Sequence, residues 1–153
     1  MSRTALGWSW VAGQGVLLAT LLAFPWQVHG VAALTIGLII LAAGVALAVA
    51  AFRTLGSALT PTPVPVADAG LRMTGVYAWI RHPIYTAILI SVLGLGIAAG
   101  SWALAGWLIL ATGFFLLKSR WEDRLLREKY GTAWESWASR TGALLPSWRT
   151  LRR

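Results

Sequence analysis

Three long stretches of this sequence carry no charged residue, and they constrain the fold more than any other feature. They are residues 8–24, 31–52 and 83–117. A bilayer core about 30 Å thick is crossed by roughly 17–25 apolar helical residues, so the first two stretches predict one membrane span each. A soluble chain of this size needs more charge on its surface than the 12% of charged residues found here. The sequence therefore predicts an integral membrane protein.

The third stretch is too long for one span, because as a single helix it would measure about 50 Å at about 1.5 Å per residue. The glycines between Gly94 and Ser101 tolerate a tight reversal or close helix packing, so we expect a hairpin of two helices. No strand precedes these glycines, which disfavours a dinucleotide-binding loop. We predict an all-α polytopic membrane fold with four transmembrane helices, at 8–24, 31–52, 83–99 and 102–117.

The basic residues predict the orientation of these spans. With four spans, all 13 Lys and Arg residues fall on one side of the membrane, which the positive-inside rule assigns to the cytoplasm. Both termini, the loop 53–82 and the amphipathic C-terminal segment 118–153 are then cytoplasmic, in a single membrane domain covering 1–153. The compact loops and the lack of a eukaryotic targeting signal favour a prokaryotic inner membrane. A cleaved signal peptide is the alternative for the first stretch, but Trp8, Trp10 and Gln14 disfavour it.

Charge and composition disfavour several classes of function. The net charge of +8 is best explained by the anionic lipid of the bilayer, so we expect no nucleic-acid partner. The absence of cysteine excludes disulfides and thiolate chemistry. None of the five acidic residues lies within a predicted span, which disfavours a proton-coupled transporter. His29 and His82 would lie at opposite membrane faces, so we expect no metal site.

The segments outside the spans have local signals of their own. Alternating prolines in 60–65 predict an extended segment along the membrane surface or over a pocket. Pro83 suits the first position of a helix. Hydrophobic residues at helical spacing predict that 118–130 is an amphipathic helix ended by Gly131. The Thr132–Glu135 spacing resembles a capping box and predicts a short helix over 134–140.

Polar residues cluster at the predicted mouth of the hairpin. Because the two spans are antiparallel, the residues at the start of the first should lie beside those that follow the second. This arrangement is typical of a binding site, although anchoring at the membrane interface is the simpler alternative. The residues are Arg81, His82 and Tyr85 on one side, and Lys118, Glu122 and Asp123 on the other.

The same residues carry a resemblance to a known family. The pattern Gly75-x-Tyr77-x3-Arg81-His82-Pro83-x-Tyr85, the later Glu122-Asp123 pair and the segment 131–137 resemble the isoprenylcysteine carboxyl methyltransferase family. That family is related to the membrane phospholipid methyltransferases. The resemblance covers about 55–146.

The resemblance implies that S-adenosylmethionine binds at the cytoplasmic end of the hairpin. Lys118 takes the place of a substrate-binding arginine in eukaryotic relatives, and it keeps the charge without the bidentate fork. Trp134 and Trp137 replace the usual tyrosines. The predicted cofactor-binding residues are Leu71, Tyr77, His82, Pro83, Tyr85 and Glu122, and the predicted catalytic residues are Lys118, Glu122 and Arg81.

The chemistry of these residues is compatible with that cofactor. The helix start at Pro83, with His82, could bind its carboxylate, Glu122 could bind its ammonium, and Tyr77, Tyr85 or Trp121 could lie against the sulfonium or the adenine. A carboxylate acceptor needs no general base, whereas an amine or thiol would need one, with His82 or Glu122 nearest.

The function predicted from the sequence is methyl transfer from S-adenosylmethionine to a lipophilic small molecule, which enters from the bilayer. The acceptor is an isoprenylcysteine-type carboxylate or a similar group, and the oligomeric state is left open. One alternative is an NADPH-dependent sterol-type membrane reductase, with 120–127 as the candidate phosphate-binding run. The other is a non-enzymatic membrane assembly factor.

Overall fold

The computed structural model describes residues 2–28, 30–65 and 69–148. His29, Asp68 and the last five residues of the predicted C-terminal segment lie outside the described residues. Within them the chain is helical, and its one β-type contact is an isolated bridge between Ile80 and Gly142. The all-α prediction is therefore confirmed. The helices are α1 (Arg3–Ala19, continued by a 3₁₀ turn at Thr20–Ala23), α2 (Val31–Leu55), α3 (Pro83–Ala98), α4 (Trp102–Tyr130) and α5 (Thr132–Ala138).

Three segments of the described chain are long and apolar enough to cross a membrane: α1 with its 3₁₀ turn, α2 and α4. Helix α3 is also apolar, but with 16 residues it is shorter. At about 1.5 Å per residue it is about 24 Å long, somewhat less than a bilayer core. The capacity to span a membrane is thus shown for three helices, and the fourth span stays a prediction.

The reversal between α3 and α4 occurs at the end of the predicted glycine-rich region. Helix α3 ends at Ala98, Gly100 takes a positive φ of 56°, and α4 begins directly after Ser101. A positive φ is readily adopted by glycine and strained for other residues, so Gly100 makes the tight turn possible. The predicted hairpin of two helices is confirmed.

Gly94, earlier in the same region, serves helix packing. Helices α2 and α3 form the most extensive helix pair of the structure, and a Cβ on Gly94 would lie 2.5 Å from the backbone nitrogen of Leu41 and 2.6 Å from the carbonyl oxygen of Gly37. The two backbones approach this closely because glycine stands on both sides, as in the small-residue interfaces of membrane helices.

We expect Gly94→Ala to weaken the α2–α3 interface by about 1–3 kcal/mol, since the added methyl meets backbone atoms that must move apart. Gly106→Ala is the matched control, because a Cβ there meets nothing within 4 Å. Thermal unfolding in detergent should show a lower midpoint for Gly94→Ala and no loss for Gly106→Ala. Equal midpoints would contradict the packing role of Gly94.

Helix α4 is continuous: its apolar first part leads without a break into the amphipathic part that was predicted at 118–130. Helix α1 packs along it: the Trp107 indole N–H donates to the carbonyl of Leu17 and to the hydroxyl of Thr20, at 3.2 and 2.9 Å. Farther along, Arg3 pairs with Glu128 at 2.9 Å. The start of α1 therefore lies beside the end of α4, as the four-span topology requires.

The predicted capping box was wrong. Helix α5 begins at Thr132 rather than 134, its N-cap is Gly131, and no side chain caps it. Gly131, with a φ of 53°, ends α4 as predicted and starts α5 at the same time, which places Thr132 inside the helix. The Glu135 carboxylate binds Arg127 at 2.7 Å instead of reaching back to the backbone.

The chain after α5 returns to the start of α3. The backbone N–H groups of Arg81 and His82 donate to the carbonyls of Gly142 and Ala143 at 2.9 and 3.0 Å. The Thr86 hydroxyl donates to the carbonyl of Leu144. Residues 138–144 are thereby fixed against the hairpin mouth, where the predicted site residues lie.

Candidate functional site

A cavity of about 740 Å³ lies at the end of the bundle where α3 begins and the polar half of α4 lies. This volume is within the usual range for small-molecule sites. Its apolar wall comes from α2 and α3, and includes Ala48, Phe52 and Ile88. Its polar side is formed by the hairpin mouth, where Tyr85 and Glu122 face it.

The proline-rich segment 60–65 covers this cavity, as one of the two sequence interpretations proposed. It also contacts α1, because a Cβ on Gly7 would lie 3.0 Å from Val64 and 3.5 Å from Thr62. Beyond the segment, the Tyr130 hydroxyl donates to the carbonyl of Ala69. The cover is thus held by α1 and by the end of α4.

His82 is the centre of the polar cluster and is almost completely buried. Its Nε2 lies 3.0 Å from an Asp123 oxygen and its Nδ1 lies 3.4 Å from Glu122 Oε2. Burial opposes the charge on the imidazole, but the hydrogen bonds to Asp123 and Glu122 outweigh it and raise the pKa of His82 to about 9. His82 is therefore a cation at neutral pH with both ring nitrogens engaged.

This ion cluster predicts that stability falls at high pH. The folded pKa of His82, about 9, is above the ordinary value of 6.5, so its contribution is fully present below the lower value and lost as pH rises through the higher one. We expect a loss of about 3 kcal/mol between pH of about 6 and about 10. The free energy of unfolding, measured by detergent-induced unfolding at each pH, should fall over this range in the wild type. In His82→Gln it should fall less. Identical slopes would contradict the role of His82.

Arg81 is held by structural contacts. Its guanidinium donates to Asp123 at 3.1 and 3.3 Å, and to the backbone carbonyls of Ala138 and Thr141. It lines the cavity but is committed to the C-terminal segment. Arg81 was predicted to be catalytic; this geometry favours a role in fixing the segment.

The start of α3 is less available to a ligand than expected. The backbone N–H groups of Arg81 and His82 are taken by the C-terminal segment, and the His82 ring is taken by two carboxylates. Pro83 has no N–H, is fully buried and does not line the cavity. The expectation that this helix start binds a carboxylate is therefore not supported by the contacts.

Aromatic rings stack from the cluster into the bundle. The rings of His82 and Tyr85 are nearly parallel with centroids 5.4 Å apart, and Tyr85 stacks on Phe115 at 5.0 Å. The Tyr85 hydroxyl donates to Glu122 Oε2 at 2.8 Å.

Burial and the nearby Glu122 carboxylate raise the pKa of Tyr77, another cavity residue, so its hydroxyl stays protonated at neutral pH.

Lys118 points into the cavity from α4 and is 3% exposed. Its ammonium donates to the Gln14 amide oxygen at 2.5 Å and lies 5.1 Å from the centre of the Tyr85 ring. It forms no ion pair within the described residues; in particular, Glu122, one turn away, is not within pairing distance. A buried ammonium with neutral partners is well suited to attract an anion.

The structure brings most of the predicted site residues together. All of them line the cavity except Pro83, which only starts the helix. Trp121 does not line the cavity and lies next to Trp10 at a centroid distance of 6.5 Å, so the structure does not support the proposed contact of Trp121 with the cofactor. The residues that line the cavity are Leu71, Tyr77, Arg81, His82, Tyr85, Lys118 and Glu122.

Three further residues that line the cavity were not singled out as site residues by the sequence. Gln14 stood out only as an amide within an apolar stretch. Arg72 and Tyr130 line the cavity but carry no periodic signal. A polar residue within a predicted span is the one signal that would have identified Gln14.

The sequence model of a family described as phospholipid methyltransferase matches residues 32–133. This range contains α2 except its first residue, all of α3 and α4, and every residue that lines the cavity except Gln14 and Trp137. No curated protein matches the chain.

Proposed function

The chain belongs to the phospholipid methyltransferase family, and from that premise we propose that it transfers the methyl group of S-adenosylmethionine to a lipophilic small molecule at the cytoplasmic membrane face. The family includes the isoprenylcysteine carboxyl methyltransferase-like membrane enzymes, so the resemblance found in the sequence is confirmed. The cofactor, the acceptor and the membrane face are parts of the proposal.

The observation that carries the proposal is the free oxygen of Glu122. Its Oε2 accepts the Tyr85 hydroxyl and faces His82, whereas no hydrogen bond to its Oε1 is found within the described residues. The side chain lines the cavity and is 25% exposed. A carboxylate oxygen that faces the cavity fits the ammonium group of S-adenosylmethionine.

The rest of the cavity fits the remainder of the cofactor. Tyr77 offers an aromatic ring to a sulfonium or an adenine. Leu71 and Ile84 add apolar contact, and the proline-rich segment 60–65 shields this side from water. When bound, S-adenosylmethionine supplies a methyl group whose bond to sulfur breaks, with the electron pair left on sulfur, as the acceptor atom donates the pair for the new bond.

The residues of this chain contribute by position and charge. Alignment of the acceptor and exclusion of water supply much of the rate in such displacements. A carboxylate acceptor loses no proton, so no base is needed. His82 is unsuited to be a base for an amine or thiol, because both its nitrogens are bound by carboxylates.

The packing of the helices supports entry of the acceptor from the bilayer. Helix α1 packs on α4 and α2 packs on α3, while Gln14 of α1 and Phe52 of α2 both line the cavity. We propose that the lipophilic tail of the acceptor passes between α1 and α2 and lies against the apolar wall, with the head of the acceptor in the polar part of the cavity.

We also propose that α3 is the fourth span and that both termini are cytoplasmic. The chain has no cysteine, so single-cysteine variants give a clean test. We expect an impermeant maleimide to label Trp26→Cys in intact cells, and Ser57→Cys and Arg120→Cys only after lysis. Labelling of Ser57→Cys in intact cells would overturn the topology.

The experiment that tests the function is calorimetric titration of the full chain, purified in detergent, with S-adenosylhomocysteine and separately with NADPH. Micromolar binding of the first and none of the second is expected. Transfer of an isotope-labelled methyl from S-adenosylmethionine to a membrane lipid extract should follow. Folded protein that binds neither compound would overturn the methyltransferase proposal, and binding of NADPH alone would favour a reductase.

A further inference from the structure

Arg72 is a cavity residue with no assigned partner. It lines the cavity, and its Nε is buried yet makes no hydrogen bond to any described residue. Within the described residues it forms no ion pair either. Leaving a buried donor unpaired costs free energy, and a guanidinium presents several donors in a fork suited to a carboxylate or phosphate. The arrangement is explained if a ligand supplies the acceptor atoms.

The backbone that carries Arg72 is fixed on both sides. On one side the Tyr130 hydroxyl donates to the carbonyl of Ala69, and on the other the Trp137 indole N–H donates to the carbonyl of Tyr77 at 2.9 Å. Both anchoring side chains also line the cavity. Arg72 is therefore presented to the cavity by a short segment attached at two points, which lowers the entropy cost of binding a ligand there.

The charges around the cavity do not balance. Its lining contains four basic groups, those of Arg72, Arg81, His82 and Lys118, and His82 is charged because its pKa is raised to about 9. Against them stand Glu122 in the lining and Asp123 behind it, and these two carboxylates already face His82 and Arg81. Within the described residues, neither Arg72 nor Lys118 forms an ion pair.

The cofactor does not correct this imbalance. At neutral pH S-adenosylmethionine carries a sulfonium, an ammonium and a carboxylate, which gives a net positive charge. Adding it to the cavity raises the positive excess further. A second ligand that carries negative charge would lower it, whereas a cationic amine would raise it.

We propose that Arg72 binds the anionic headgroup, a carboxylate or phosphate, of the methyl acceptor and so selects anionic amphiphiles as substrates. The inference rests on the proposed function and deepens it, because it chooses among the acceptor classes that the sequence left open. Lys118 contributes a second positive charge at the bundle side of the cavity. The apolar wall from α2 and α3 takes the tail.

The test uses three amphiphiles with the same tail, namely dodecyl phosphate, dodecanoate and dodecylamine, with inorganic phosphate as the free anion. Each is titrated by calorimetry into the full chain in nonionic detergent, saturated with S-adenosylhomocysteine. We expect the two anionic amphiphiles to bind at least tenfold more tightly than dodecylamine and inorganic phosphate. Equal binding of all three amphiphiles, or phosphate binding as tight as dodecyl phosphate, would overturn the proposal.

Variants assign the effect to Arg72. Arg72→Gln should weaken binding of the anionic amphiphiles about 10- to 100-fold, and Arg72→Lys should weaken it less, because the charge remains without the fork. Arg53→Gln is the matched control, since Arg53 is exposed at the end of α2 and does not line the cavity. An equal effect of Arg53→Gln would contradict the assignment.

Binding of S-adenosylhomocysteine separates this inference from the proposed function. Arg72→Gln should bind that compound as the wild type does, which also shows that the variant is folded. Loss of S-adenosylhomocysteine binding with retained amphiphile binding would assign Arg72 to the cofactor and overturn the inference alone. Wild-type protein that does not bind S-adenosylhomocysteine would instead overturn the proposed function.

Discussion

Glu122→Gln is expected to weaken binding of S-adenosylhomocysteine about 10- to 100-fold while the protein stays folded. The carboxylate is the one anionic group in the lining of the cavity within the described residues, and its Oε1 is free to accept a charged donor. Hydrogen bonds to charged groups contribute about 1.5–3 kcal/mol, which corresponds to this range of affinity. Glutamine keeps an oxygen for the Tyr85 hydroxyl, so the fold should tolerate it.

Two companion variants make the result specific. Glu128→Gln removes an acid from the same helix, but its partner there is Arg3 at the surface, so cofactor affinity should not change. Tyr85→Phe removes the hydrogen bond to Glu122 and keeps the carboxylate. Calorimetry on all three variants, with thermal unfolding as a folding check, measures the effect.

The outcome of Tyr85→Phe distinguishes two roles for Glu122. If the carboxylate binds the ligand directly, Tyr85→Phe should lose less affinity than Glu122→Gln. Equal losses would indicate that Glu122 acts through the position of Tyr85. Wild-type affinity in folded Glu122→Gln would contradict the contact altogether.

The order of the apolar helices was predictable because charge is absent from long stretches of the chain. The ends of the helices were less predictable, because a helix can continue beyond the end of its apolar stretch. The predicted span 102–117 is the first part of α4, which continues to Tyr130 because Lys118 and the residues after it are good helix formers. The hairpin was predictable from length, and Gly100 marks its turn.

The location of the site was predictable, but the state of its groups was not. The motif placed His82 and Glu122 at one mouth, and they lie together. The return of residues 138–144 to the start of α3 is a long-range contact that no local pattern reports. The returning segment occupies the backbone N–H groups that a ligand was expected to use. Its conformation depends on Gly142, where a Cβ would lie 1.7 Å from the carbonyl oxygen of Leu145.

Asp123→Asn is expected to destabilise the protein by about 3–5 kcal/mol. The carboxylate faces two buried or half-buried cations, Arg81 at 3.1 Å and His82 at 3.0 Å. Removing one member of a buried ion cluster leaves the others uncompensated, which costs more than the pair contributes. Arg81 also donates to the carbonyls of Ala138 and Thr141, so we expect the C-terminal segment to loosen first.

Limited proteolysis and thermal unfolding test this expectation together. Asp123→Asn should be cleaved after α5 at protease concentrations that spare the wild type, and its unfolding midpoint should fall. Glu135→Gln is the control, because its pair with Arg127 is exposed and exposed pairs contribute only about 0–1 kcal/mol. If both variants resist cleavage and unfold like the wild type, Asp123 does not hold the cluster. If only Asp123→Asn loosens the C-terminal segment, the ion cluster is needed to keep the cavity closed, because this segment lies directly against the hairpin mouth.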